Sequence, residues 1–157
     1  MGKIILVVED EEVLRKFLRV PLSELGHEVL EAEDGEKAIA QLGRKRFDLI
    51  ICDLLMPNKG GWQLMEEIKE NPETRDIPVI VLTAKTEDKD RLRAYDHGVA
   101  YDILKPFTLA QLLYGIQMIS NNDREEKLRS AYFVSDSVSH STACESFHHP
   151  AAPGDRE

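Results

Sequence analysis

Along the first 120 positions, short unbroken apolar runs alternate with longer stretches of helical period. The runs are Ile4-Ile5-Leu6-Val7-Val8, Leu49-Ile50-Ile51-Cys52, Val79-Ile80-Val81-Leu82 and Ile103-Leu104. Such alternation argues for βα units and a parallel sheet. Lys3–Val8 reads as the first strand. A helix is expected over Glu11–Leu25, with Val13, Leu14, Phe17, Leu18, Leu22 and Leu25 on its apolar side and Gly26 closing it. Pro21 inside it removes one hydrogen bond and should kink it. His27–Ala32 alternates like a half-buried strand, and Gly35–Lys45 reads as a second helix on Ala38, Ile39 and Leu42. Phe47–Cys52 is apolar throughout, as a central strand covered on both faces should be.

Gly60-Gly61 opens a third expected helix that Asn71-Pro72 stops after Glu70. Ile77–Leu82 follows as a strand. Thr86 is placed to cap a polar helix over Glu87–Asp96 that ends at His97-Gly98. Tyr101–Leu104 is the fifth strand, and Thr108 caps a last helix carrying Leu109, Leu112, Leu113, Ile116 and Ile119. Five βα units with right-handed crossovers predict a doubly wound α/β sheet in the order 2-1-3-4-5. Past Asn121 the pattern decays. Asp123–Val134 has the spacing to extend the last helix, and Ser135–Glu157 reads as disordered. The expected division is residues 1–121 as a folded domain and 122–157 as an extension, partly helical and then disordered.

Polar residues stand at the ends of the apolar runs. Glu9 and Asp10 follow the first, Asp53 follows Cys52, Thr83 follows Leu82, and Lys105 follows Leu104. If the runs are parallel, all five side chains meet at the carboxyl edge of the sheet, where open α/β folds bind ligands. Clustered carboxylates raise one another's pKa unless a cation is present. Hard oxygen donors of this kind suit Mg²⁺, which typically takes one or two protein carboxylates together with a phosphate oxygen. A carboxylate in that setting is a nucleophile towards phosphorus, and Lys105 and Thr83 supply charge neutralisation and positioning. Each residue alone is equally an ordinary strand-end acid, cap or surface charge. Their arrival at one edge favours the chemical reading.

The chain has 157 residues, 42% of them apolar and 31% charged, with 20 basic and 29 acidic side chains and a net charge of −9. Before residue 121 there are 16 basic and 22 acidic residues, and after residue 120 there are 4 and 7. Neither part offers the basic stripe that phosphate-backbone binding needs, so direct nucleic-acid binding is not expected. No apolar run approaches a membrane span, and Met1-Gly2-Lys3-Ile4 enters a strand without a leader-like segment, so a cytoplasmic protein is expected. Cys52 and Cys144 are too few for a disulfide or zinc framework, and Cys52 reads as a core residue. His148-His149 lacks the further ligands a metal site needs. No G-x-G-x-x-G or Walker sequence follows any strand, which excludes those modes of nucleotide binding.

With these residues placed, the chain resembles the receiver domain of two-component response regulators, the chemotaxis-type, flavodoxin-like fold. The resemblance covers roughly residues 3–120. It rests on Val8-Glu9-Asp10-Glu11, on Asp53-Leu54-Leu55-Met56-Pro57 with Gly60-Gly61, on Leu82-Thr83-Ala84, and on Gly98 followed by Lys105-Pro106-Phe107. It implies that Asp53 accepts a phosphoryl group from a sensor histidine kinase or phosphotransfer protein. Glu9, Asp10, Asp53 and the Leu55 carbonyl would hold Mg²⁺, with Thr83 and Lys105 on the phosphoryl oxygens.

The resemblance further implies that phosphorylation switches a partner-binding surface at residues 86–120. The family usually carries a switch aromatic three residues before the lysine. Here Asp102 holds that position and Tyr101 precedes it, so strand alternation points the two to opposite faces. With no effector domain after the receiver, a stand-alone protein that docks on a partner is expected, or a fragment of a longer one. The Asp123–Val134 extension offers a route to a homodimer. Two other readings stand beside this one: a pseudo-receiver scaffold independent of phosphorylation, and an Asp-nucleophile phosphatase. The second would need its nucleophile after the first strand with another aspartate two residues on, a pattern absent from Glu9-Asp10-Glu11-Glu12.

Overall fold

The computed structural model of the protein describes residues 2–54, 60–83 and 98–135. Five strands, β1 (Ile4–Val8), β2 (Glu28–Ala32), β3 (Leu49–Asp53), β4 (Val79–Thr83) and β5 (Tyr101–Leu104), form one sheet. Its order is β2-β1-β3-β4-β5, and every pairing is parallel. The described helices are α1 (Glu12–Glu24), α2 (Gly35–Leu42), α3 (Gly61–Glu70) and α4 (Leu109–Ser135). This is the doubly wound, flavodoxin-like architecture that the sequence predicts.

Alternation along the strands divides the core into two layers. Leu6, Val8, Ile50, Cys52, Val79 and Val81 pack with Ala38 of α2 and with Leu64, Met65 and Ile68 of α3. Ile5, Val7, Leu49, Ile51, Ile80, Leu82 and Ile103 pack with Leu18 and Leu22 of α1 and with Leu112, Ile116 and Ile119 of α4. The central strands β3 and β4 are buried at every position, as their unbroken apolar runs require. β2 is an edge strand, and only its last residue, Ala32, is fully buried.

The helix ends follow from local chemistry. Asp34 caps α2 by accepting from the Lys37 N–H at 2.8 Å. Thr108 and Gln111 cap each other reciprocally: the Gln111 N–H donates to Thr108 Oγ1 at 3.2 Å, and the Thr108 N–H donates to Gln111 Oε1 at 2.8 Å. Gly26 after α1 and Gly98 before β5 both have positive φ, 97° and 74°.

Several expectations need correction. The apolar side of α1 is narrower than predicted. Leu18 and Leu22 are fully buried and Leu14 is half-buried, but Val13 is 80% exposed, and Phe17 and Leu25 are exposed as well. The spacing of four from Leu14 to Leu22 faces the sheet, and Val13 and Phe17 lie one position round the helix. Phe17 instead meets Phe107 edge-to-face, with ring centroids 6.2 Å apart. α2 ends at Leu42, short of Lys45. β3 and β4 each run one residue further than predicted, so Asp53 and Thr83 lie inside the hydrogen-bonded ladder. Pro21 lies within α1, and the Leu25 N–H still closes onto the Pro21 carbonyl at 3.1 Å.

The chain divides into two units, residues 1–119 and 120–157, and positions 123–134 fall within the span of α4. The expected helix over 87–96 with its Thr86 cap, the Leu55 carbonyl, Cys144, and the tail from 136 with His148-His149 lie outside the described residues. Among the described residues, no helix is long and apolar enough to cross a membrane.

Candidate functional site

The carboxyl edge of the sheet brings the predicted residues together from three strands. Glu9 directly follows β1, Asp53 ends β3 and Thr83 ends β4. Glu9 is fully buried, and Asp53 and Thr83 are each 3% exposed. Asp10 is exposed. Carboxylate oxygens of Glu9, Asp10 and Asp53 all lie within 4.8 Å of one another. Lys105, one residue beyond β5, places Nζ 3.2 Å from Asp53 Oδ2 and 3.3 Å from Glu9 Oε1.

The electrostatics show that one cation is too few for three acids. Burial pushes the Glu9 carboxyl up to about 8; the neighbouring Asp10 and the charge of Asp53 push the same way, and Lys105 only partly opposes them. For Lys105, burial works against the charged form. Asp53 and Glu9 outweigh it and hold the ammonium above its usual range. Three oxygen donors converging with an uncompensated negative balance fit a hard divalent cation. The cluster therefore has the donor set of a metal site.

The backbone explains why these side chains can crowd together. Lys105 N–H donates to the Thr83 carbonyl at 2.6 Å, extending the β4–β5 ladder to the lysine itself. Thr83 Oγ1 lies 3.5 Å from the Ile103 carbonyl as a long hydrogen bond. At α3, a Cβ on Gly61 would fall 2.5 Å from Leu54 Cα and 2.6 Å from the Asp53 carbonyl oxygen. Only glycine lets the start of α3 abut the end of β3 so closely. The sequence pattern marks Gly60-Gly61 as a helix start and as part of the motif that carries the resemblance, but not this close approach.

The two positions on β5 expected to act in the switch, Tyr101 and Asp102, part company. Tyr101 packs on the α1–α4 side of the sheet, where a Cβ on Gly115 would come within 2.8 Å of its ring. Thr83 belongs by alternation with Val79 and Val81 on the opposite face, so the structure does not bring Tyr101 and Thr83 together. Asp102 is half-buried and pairs in register with Val81. Cys52 is fully buried, and burial pushes its thiol far up, which makes it a core residue and not a nucleophile.

Sequence reasoning missed Arg15. Its Nη1 donates to the Glu9 carbonyl at 2.8 Å and to the Asp10 carbonyl at 3.3 Å, and its Nε donates to Glu31 Oε1 at 3.1 Å. An arginine on the first turn after an acidic pair was the only available signal.

Fold and edge together define an open α/β domain that carries an acid cluster and a lysine where its strands end. The chain matches the model of the response regulator receiver domain over residues 5–117, and it belongs to that family. It is 39% identical over 119 residues to the phosphate regulon transcriptional regulatory protein PhoB of Escherichia coli (strain K12), a match covering 76% of this chain and 52% of that protein. The transcriptional regulatory protein ResD of Bacillus subtilis (strain 168) is 36% identical over 115 residues, covering 73% of this chain and 47% of the relative. The chain thus spans about half the length of these curated relatives.

Among solved structures, the chemotaxis response regulator CheY4 of Vibrio cholerae superposes with a TM-score of 0.72 at 28% identity, covering 76% of this chain and 99% of that one. The non-phosphorylated HemR receiver domain from Leptospira biflexa gives a TM-score of 0.68 at 33% identity, covering 73% and 91%. The protein is a receiver domain of two-component signalling, and its family role is that of a phosphoacceptor.

Proposed function

We propose that Asp53 is the phosphoacceptor and that a sensor histidine kinase or phosphotransfer protein is the donor. The observation that carries this reading is Lys105 Nζ, set 3.2 Å from Asp53 Oδ2 and 3.3 Å from Glu9 Oε1 inside a cluster of three converging carboxylates. An ionised Asp53 oxygen attacks the phosphorus of a donor phosphohistidine. The P–N bond breaks, the imidazole leaves and takes up a proton, and Asp53 becomes an acyl phosphate. Hydrolysis by water later releases inorganic phosphate and restores the carboxylate. The protein is in this sense a substrate that assists both its own phosphorylation and its dephosphorylation, not an enzyme acting on other molecules.

Glu9, Asp10 and Asp53, with the Leu55 carbonyl, would hold Mg²⁺, which when bound neutralises the charge gathered around the phosphoryl oxygens. Lys105 gives those oxygens a fixed cation and Thr83 a hydroxyl donor. Rearrangement of Thr83 then biases a docking surface for a downstream protein within residues 86–120. The packing of Tyr101 against Gly115 supports a switch without the usual aromatic partner for Thr83. We place this activity in the cytoplasm. The relatives PhoB and ResD are transcriptional regulatory proteins by name. For the 157 residues here, the acidic balance supports protein docking, with a homodimer through the 123–134 segment as a second arrangement, and not direct nucleic-acid contact.

The test is phosphorylation by acetyl phosphate with Mg²⁺, read by intact mass. One labile phosphoryl group should appear on the wild-type chain and none on Asp53→Asn. Multiple turnover of a general phosphate ester would point to a phosphatase instead, and a wild type that never gains mass would favour the scaffold.

A further inference from the structure

Residues 9–11 lie between the end of β1 at Val8 and the start of α1 at Glu12. The Glu9 N–H still donates to the Ala32 carbonyl at 3.1 Å, and the Glu11 carbonyl accepts the first bond of α1, from the Arg15 N–H at 3.0 Å. The carbonyls of Glu9 and Asp10 have no sheet or helix neighbour by default, and both side chains belong to the acid cluster. One side chain takes both carbonyls. The Arg15 guanidinium donates through Nη1 to the carbonyls of Glu9 and Asp10. The guanidinium is itself aimed from the edge strand. Glu31 on β2 accepts from Arg15 Nε at 3.1 Å through Oε1, and its Oε2 forms an ion pair with Arg19, whose Nε lies 2.8 Å away. Arg15 is only 14% exposed in its side chain, so this cation is spent largely on backbone and on one carboxylate.

We infer that Arg15 is a positioning residue that sets the divalent-cation affinity of the acid cluster by locking the backbone of Glu9 and Asp10. The inference rests on the proposed role of that cluster as a metal site. Arg15 acts through the main chain: the charges that move the Glu9 carboxyl are Asp53 and Lys105. A planar fork is needed, because one group must reach two successive carbonyls while holding Glu31 from another edge. A lysine ammonium can meet part of that demand only. Arg19 provides the contrast, since it shares Glu31 while its Nε makes no hydrogen bond among the described residues.

Two measurements on the full chain test this. Mg²⁺ is titrated calorimetrically against wild type, Arg15→Ala, Arg15→Lys and Arg19→Ala, and amide exchange over residues 9–11 is followed in EDTA. Arg15→Ala should weaken Mg²⁺ about tenfold, the usual cost of losing an outer-shell partner, and should speed exchange at those amides without metal. Arg15→Lys should fall between it and wild type, and Arg19→Ala should stay within about twofold of wild type. Should Arg15→Ala not fold, Arg15→Lys carries the comparison alone, with weaker Mg²⁺ than wild type expected. Wild-type affinity in the Arg15 variants, or an equal loss in Arg19→Ala, overturns the inference. A wild-type chain that takes up no Mg²⁺ would instead overturn the reading of the cluster, and the inference with it.

Discussion

In the middle of the sheet, Leu6, Ile50, Ile51, Ile80 and Val81 are buried among hydrocarbon, while two or three residues further along the chain Glu9, Asp53 and Thr83 are buried as polar groups. The first set lowers the free energy of folding at each position. The second holds an acid whose ionisation the fold opposes. Thr74 is the other buried polar residue among those described, and its hydroxyl is donated cleanly to the Ile68 carbonyl at 2.8 Å. The contrast shows one place where the domain gives up stability: the line where the apolar runs stop.

Three substitutions probe that contrast. Ile51→Ala, in the hydrocarbon zone, should cost roughly 2–5 kcal/mol, with no direct effect on which residue is phosphorylated. Chemical denaturation gives the cost, and a loss below that range would mean the middle of the sheet is less well packed than it looks. Gly61→Ala, at the edge, should cost about 1–3 kcal/mol, because its Cβ meets backbone that cannot yield. Gly43→Ala is the control: its nearest neighbour would be 3.6 Å away and its φ is −75°, so it should be neutral or slightly stabilising.

Among the changes expected to move stability, the smallest is Glu9→Gln, and its sign is opposite to that of Ile51→Ala and Gly61→Ala. A carboxyl raised to about 8 in the folded chain binds its proton more tightly there than in the unfolded one. Without metal, stability should therefore fall as pH rises from about 5 to 8. Glu9→Gln should flatten that fall and leave the variant about 1 kcal/mol more stable at pH 8, since it removes the charge but also loses Lys105 as a partner. Thermal unfolding in EDTA across that range checks it, and an unchanged pH profile would show that Glu9 is not the group responsible.

Strand content and order were legible because β3 and β4 need unbroken apolar runs, and Tyr101–Leu104 has the bounds that its pattern suggested. The convergence of Glu9, Asp10, Asp53 and Lys105 was legible for the same reason: parallel strands align their ends, so one polar residue after each run is enough. The apolar side of α1 was overcounted, because Val13 and Phe17 satisfy a loose helical period without facing the sheet. Periodicity counts positions within an arc and does not say how wide the neighbour is. Arg15 and Gly61 escaped for a different reason. Arg15 acts across β1, α1 and β2 at once, and Gly61 matters because of what its missing side chain leaves room for.

Lys105 is moored on both sides. Its own N–H is fastened to the Thr83 carbonyl, and three residues later Thr108 and Gln111 clasp the beginning of α4. The tether between these two fixtures has almost no slack, so the distance from ammonium to carboxylate is metered by four methylenes and not by loop play. A shorter amine should fall short of Asp53, and a guanidinium should overshoot it while keeping the same charge. At this position length, and not charge alone, should decide which cation reaches Asp53.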